Sequence, residues 1–108
     1  MSTETRRITF SSQEFVQAVA SHRRDEKQPL PESRIRGMRA ENGAEPKFFV
    51  QLEDRGDGKT AIELRPAEVA VALIKFCRLK RIPLPKRADK SLGVDNGLVS
   101  LVLILENI

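Results

Sequence analysis

The chain has no tryptophan, no tyrosine, one cysteine and one histidine in 108 residues, and each shortage excludes something. Five phenylalanines make up the whole aromatic complement, too few for the exposed rings that a stacking platform for single-stranded bases requires. A lone Cys77 forbids an intrachain disulfide and fits a reducing, cytoplasmic setting. With His22 as the only histidine, a zinc site built on His and Cys runs out of ligands. A Ser-His-Asp triad would have to use the same residue, in a highly charged helix end that reads as solvated. No GxxxxGK[ST] or GxGxxG phosphate cradle occurs. Apolar runs stay short: Leu101–Leu105 is far below bilayer length. The opening MSTETRRITFSS has two arginines but no apolar stretch of signal-peptide length behind them. These absences predict a soluble cytoplasmic protein that needs no metal or cofactor, touches no membrane and is not an enzyme.

What is present predicts one domain spanning residues 1–108, long enough to bury a core without disulfides or metal. RRITF at residues 6–10 reads as a strand. The SSQE that follows has capping-box spacing between Ser11 and Glu14, with Phe10 and Phe15 placed as a hydrophobic staple. The helix so begun must end before Pro29. RIRGMRA (34–40), KFFVQLE (47–53) and KTAIEL (59–64) alternate as strands of an antiparallel meander, the last two joined around DRGDG. The loop sequence EDRGDG lacks the ligands of a calcium loop and reads as a turn.

Pro66 suits the first turn of a second helix, PAEVAVALIKFCRLKRI, which Pro83 is placed to stop. Val69, Leu73, Phe76 and Cys77 fall on its buried side, which makes Cys77 an inert core thiol rather than a nucleophile. SLGV, the turn DNG and LVSLVLIL then form a hairpin. Its last strand is apolar on both faces, Leu98, Val102 and Ile104 opposing Val99, Leu101, Leu103 and Leu105, so it requires cover on both. Two helices, or a second copy of the chain, would provide it. The expected fold is α+β: a mostly antiparallel sheet of five or six strands with two helices packed on it, in the order β-α-β-β-β-α-β-β.

One anomaly stands out in the charges. Residues 1–74 hold twelve Lys/Arg against twelve Asp/Glu. Residues 75–90 hold seven (Lys75, Arg78, Lys80, Arg81, Lys86, Arg87 and Lys90) against Asp89 alone. The excess of the whole chain is concentrated there. An ordinary structural account is available: Lys80 and Arg81 complement a helix C-terminal dipole, and the rest keeps a proline-stiffened connector soluble. The functional account uses the same seven residues to neutralise phosphates of DNA or RNA, or carboxylates of an acidic protein surface. They would position the protein without reading sequence. The sequence thus predicts a small non-enzymatic binding or regulatory module that contacts a polyanion through residues 75–90. The alternative is a homodimeric protein-interaction module or accessory protein, to which the two-sided last strand and the PLP segments at 29–31 and 83–85 would contribute docking surface.

Overall fold

The computed structural model describes residues 2–107. Strand β1 (Ser2–Thr9) leads into helix α1 (Ser12–Asp25). A 3-10 turn at Glu32–Arg34 then precedes β2 (Ile35–Glu41), β3 (Lys47–Leu52) and β4 (Ala61–Leu64). Helix α2 (Pro66–Leu79), β5 (Asp89–Asp95) and β6 (Leu98–Asn107) complete the described chain. The architecture is α+β with six strands, but they do not form the one sheet expected from the sequence. They form two antiparallel three-stranded sheets, ordered β1-β6-β5 and β2-β3-β4. The reason lies in local pairing. The meander closes on itself through two hairpins, and β6 uses one edge for its own hairpin partner β5 and the other for β1. The pairing of β6 is thus complete, and the meander's outer strands β2 and β4 pair with neither β1 nor β5.

The two helices bridge the sheets, α1 resting against β2, and α2 against β3 and β5. They run antiparallel to each other. Arg23 near the end of α1 meets Glu68 in the first turn of α2, while Phe10 before α1 meets Phe76 near the end of α2, edge to face at 6.1 Å. One apolar cluster gathers Phe15 and Val19 of α1, Phe48 of β3, Leu73 of α2 and Leu101 of β6. The molecule is elongated, 57 × 28 × 19 Å.

The start of α1 forms as its sequence requires. Ser11 Oγ accepts from Glu14 N–H at 3.1 Å, and Glu14 Oε1 accepts from Ser11 N–H at 2.9 Å, satisfying two donors that a bare helix start leaves open. Both helices end in the same device. Gln28 N–H donates to Arg23 O and Lys27 N–H to Arg24 O; likewise Ile82 N–H donates to Cys77 O and Arg81 N–H to Arg78 O. This is the Schellman motif, whose seat beyond the cap is left-handed and normally glycine. Here the seats hold Lys27 at φ 58° and Arg81 at φ 59°. Helix α2 therefore stops at Leu79, short of Pro83, and the proline reinforces an end that backbone geometry has already made.

At the β5–β6 turn Asn96 and Gly97 both adopt positive φ, 51° and 77°, the pair a type I′ hairpin turn demands. The two faces of β6 part company. Val99, Leu101 and Leu103 are buried. On the opposite face Ser100 is buried beside Thr9, the two hydroxyls 3.0 Å apart, whereas Ile104 is 37% exposed. Part of the cover comes from Arg7. Its Nη1 would lie 3.3 Å from a Cβ built on Gly93, so the guanidinium crosses from β1 over β6 to β5, where the missing side chain leaves it room.

Candidate anion-binding segment

Of the seven cations singled out by sequence, Arg78, Lys80 and Arg81 stand at the C-terminal end of α2, Lys86 and Arg87 in the connector beyond it and Lys90 at the start of β5; Lys75 sits a turn before Arg78. The connector is more than a proline-stiffened, solvated link. Ile82 and Leu84 pack against the core, and Ala88 is buried in it, while Pro83, Lys86 and Arg87 face outward. Ala88 N–H donates to Pro85 O at 3.2 Å. Inward anchors thus alternate with outward charge, and the cations sit on a fixed support.

The seven divide by what they touch. Lys75 Nζ donates to His22 Nδ1 at 3.1 Å and lies 3.8 Å from Asp25 and 4.0 Å from Glu26, so its charge is spent on the end of α1. Lys90 Nζ donates to Ala88 O at 3.2 Å and Pro85 O at 3.5 Å, which ties the connector to β5. The other five, Arg78, Lys80, Arg81, Lys86 and Arg87, are exposed. Among the described residues none of these five has a carboxylate within 4.0 Å. Lys80 Nζ instead lies 5.7 Å from the Phe76 ring centre, a weak cation–π contact that leaves its charge open to solvent.

Beside this rim runs a groove of about 520 Å³ between α1 and α2. Ala18, Ala72, Phe76 and Leu79 form its apolar walls, Ser21 and Asp25 sit on the α1 side, and Lys75 and Arg78 on the other. Leu79 is 72% exposed.

Two groups weighed as catalytic are otherwise engaged. Burial pushes the Cys77 thiol up from its ordinary pKa, and the charge of Glu14 adds to the effect, so the nucleophilic thiolate is disfavoured. His22, expected in solvent, is instead buried at 8% exposure. It accepts from Lys75 at Nδ1, which places its own proton on Nε2. Long range accounts for the difference: Lys75 is 53 positions away and no local pattern announces the contact.

The EDRGDG loop holds a cluster that sequence reasoning missed. Arg34 donates to both carboxylate oxygens of Asp57 at 3.0 Å and to the carbonyl oxygens of Glu53 and Lys59. Asp54 Oδ1 accepts from Gly56 and Gly58, and Asp57 Oδ1 from Lys59. The loop is a turn, as read, but one riveted from outside by a residue before β2. The Arg34 guanidinium, helped by the Lys59 N–H, holds the Asp57 carboxyl below its usual range, and Asp57 raises Arg34 in return. A carboxyl with a depressed folded-state pKa contributes stability that is complete above its unfolded value, about pH 4, and lost as pH falls through the lower folded value. Protection of the Gly58 and Lys59 amides, taken as the exchange rate relative to the intrinsic rate at each pH, should therefore stay high at neutral pH and fall only in stronger acid than an ordinary Asp needs. Asp57→Asn should lower that protection at neutral pH and remove its acid transition; an unchanged protection profile would mean that the rivet does not hold the loop.

Among the described residues no three of His, Cys, Asp and Glu converge to hold a metal ion, and no helix is long and apolar enough to cross a membrane. No protein-family model matches the chain, and neither the curated proteins nor the solved structures contain a significant match to it.

Proposed function

We propose that this protein is a non-enzymatic binding module that docks on the phosphate backbone of nucleic acid through the basic segment 75–90, with Arg78, Lys80, Arg81, Lys86 and Arg87 as its contact residues. One observation carries the reading: among the described residues, five neighbouring exposed cations have no carboxylate within 4.0 Å, in a chain whose other charges nearly balance. Crowding like charge is unfavourable in the free protein, and a polyanion relieves it while releasing its own counterions. The anchored connector supports the reading further, because a fixed array loses less freedom on binding than a loose arm. Lys75 and Lys90 act as braces for the array. The engaged His22 and the buried Cys77 thiol support a role without catalysis, and a lone thiol suits the reducing cytoplasm.

Arg81 offers a sharp test because it sits in a seat that glycine fills more cheaply. A left-handed non-glycine residue costs on the order of 1 kcal/mol. Arg81→Gly should hold or raise the melting temperature yet weaken binding to short duplex DNA or RNA. Across a salt series the wild-type slope of log K against log salt should approach about −4.5 for five neutralised phosphates, and the variant should lose roughly one unit of it. Lys27→Gly relieves the same backbone strain at the end of α1 and should leave the slope untouched. If no nucleic acid binds at low salt, or if both variants bind alike, the segment only keeps the connector soluble.

A further inference from the structure

Strand β1 is an open edge eight residues long, Ser2–Thr9, paired with β6 in unbroken register and with no strand on its other side among the described residues. It contains no proline and no bulge, two of the devices that stop an edge from recruiting another strand; a third, charge, is present as Glu4, Arg6 and Arg7, but in both signs, which a facing strand can match. Residues 2–7 are all exposed.

The direction of its free backbone groups follows from one hydrogen bond. Phe10 N–H donates to Val99 O at 2.9 Å, in line with the register that pairs Ile8 with Leu101 and Arg6 with Leu103. Even-numbered residues therefore bond to β6. Bonded and non-bonded positions alternate in an antiparallel ladder, so the N–H and C=O groups of Thr3, Thr5 and Arg7 point outward. They have no backbone partner among the described residues.

We infer that a second copy of this chain pairs with β1, edge to edge and antiparallel, about a two-fold axis through Thr5, and that the β1-β6-β5 sheets of the two copies become one sheet of six. Parity and charge select that register. Outward residues can bond only to outward residues, so the axis must pass through a residue pair rather than between residues. An axis at Glu4 sets Glu4 against Glu4, and an axis at Arg6 or Arg7 sets arginine against arginine. Axes nearer either end shorten the ladder. With the axis at Thr5, Thr5 meets Thr5 and Thr3 meets Arg7, while Glu4 faces Arg6 twice. These Glu4–Arg6 rungs fall at non-bonded positions, where facing side chains approach most closely and opposite charges stabilise the pair. Within one chain Glu4 and Arg6 already share a face, 3.6 Å apart and more than half exposed. In the dimer each exchanges this cis partner for a facing one. The interface does not involve the basic segment and stands independently of the nucleic-acid reading.

Sedimentation equilibrium on the full chain, with circular dichroism as the folding control, tests it. Wild type should self-associate. Glu4→Arg and Arg6→Glu should each be folded and monomeric, since each places like charges on both facing rungs. An equimolar mixture of the two should form a heterodimer, and the double exchange Glu4→Arg/Arg6→Glu should restore the homodimer. A wild type that stays monomeric at millimolar concentration overturns the inference. So does a dimer indifferent to the single exchanges, or a mixture that fails to associate.

Discussion

Leu101→Asp is expected to leave the chain unfolded. Leu101 is the middle residue of the inner face of β6, with no exposed surface, and β6 is the central strand of its sheet. Its neighbours across the ladder are Ile8 and Leu92, and it belongs to the apolar core cluster, surroundings that offer a carboxylate poor solvation. An unpaired charge there must be protonated or drag water into the core, and either exceeds the few kcal/mol by which a domain of this size is stable. Leu101→Ala gives the measurable version: a loss of about 2–5 kcal/mol in urea denaturation, through lost transfer energy and the cavity left behind. Ile104→Asp, on the other face of the same strand and already partly in solvent, should cost under about 1 kcal/mol. A folded Leu101→Asp protein, or an Ile104→Asp protein as damaged as Leu101→Ala, would mean that the faces of β6 are assigned the wrong way round.

The second large effect is expected at Glu68. Its carboxylate accepts from Arg23 Nη2 at 3.0 Å, and the two side chains are only 11% and 19% exposed. Arg23 Nε is buried without a hydrogen-bond partner among the described residues, so the guanidinium already lacks part of its hydration and relies on Glu68. Truncating one member of a buried pair costs about 3–5 kcal/mol, because the other charge stays behind. With some solvent still reaching this pair, about 2–3 kcal/mol is expected for Glu68→Ala. Replacing both Arg23 and Glu68 with leucine should recover most of that loss, since apolar side chains of similar volume often match a buried pair. A double variant no better than Glu68→Ala would show that Glu68 acts through helix α2 alone, for instance by its placement in the first turn.

Features of the fold written in neighbouring residues were legible in the sequence. Ser11 and Glu14 announced the start of α1, Asn96-Gly97 the last hairpin, and the alternation of Phe48, Val50 and Leu52 the buried face of β3. The concentration of charge beyond Lys75 was equally plain. Features that depend on distant partners were not. Arg23 reaches Glu68 across 45 positions, and Arg34 reaches Asp57 across 23; to a local reading all four are surface charges. The division into two sheets escaped for the same reason, because local alternation defines a strand without naming its neighbour. The end of α2 was misplaced because its left-handed seat is filled by Arg81, so the glycine that would have marked it is absent. Within the basic segment the inward turns of Ile82, Leu84 and Ala88 were there to be seen, yet the prolines between them suggested an arm rather than a clamp.

The pairing of β1 with β6 has a consequence for how the chain is made. Thr9 and Ser100 face each other from positions 91 residues apart, and β1 leaves the ribosome well before β6. At a synthesis rate of about 5–20 residues per second, it waits on the order of ten seconds for its partner strand. An apolar strand left unpaired that long would invite aggregation. Strand β1 consists of serine, threonine, glutamate and arginine with Ile8 as its one apolar residue, a composition that tolerates the wait in water. Completion of its sheet is therefore the natural last event of folding, since the non-local pairing must follow the emergence of β6.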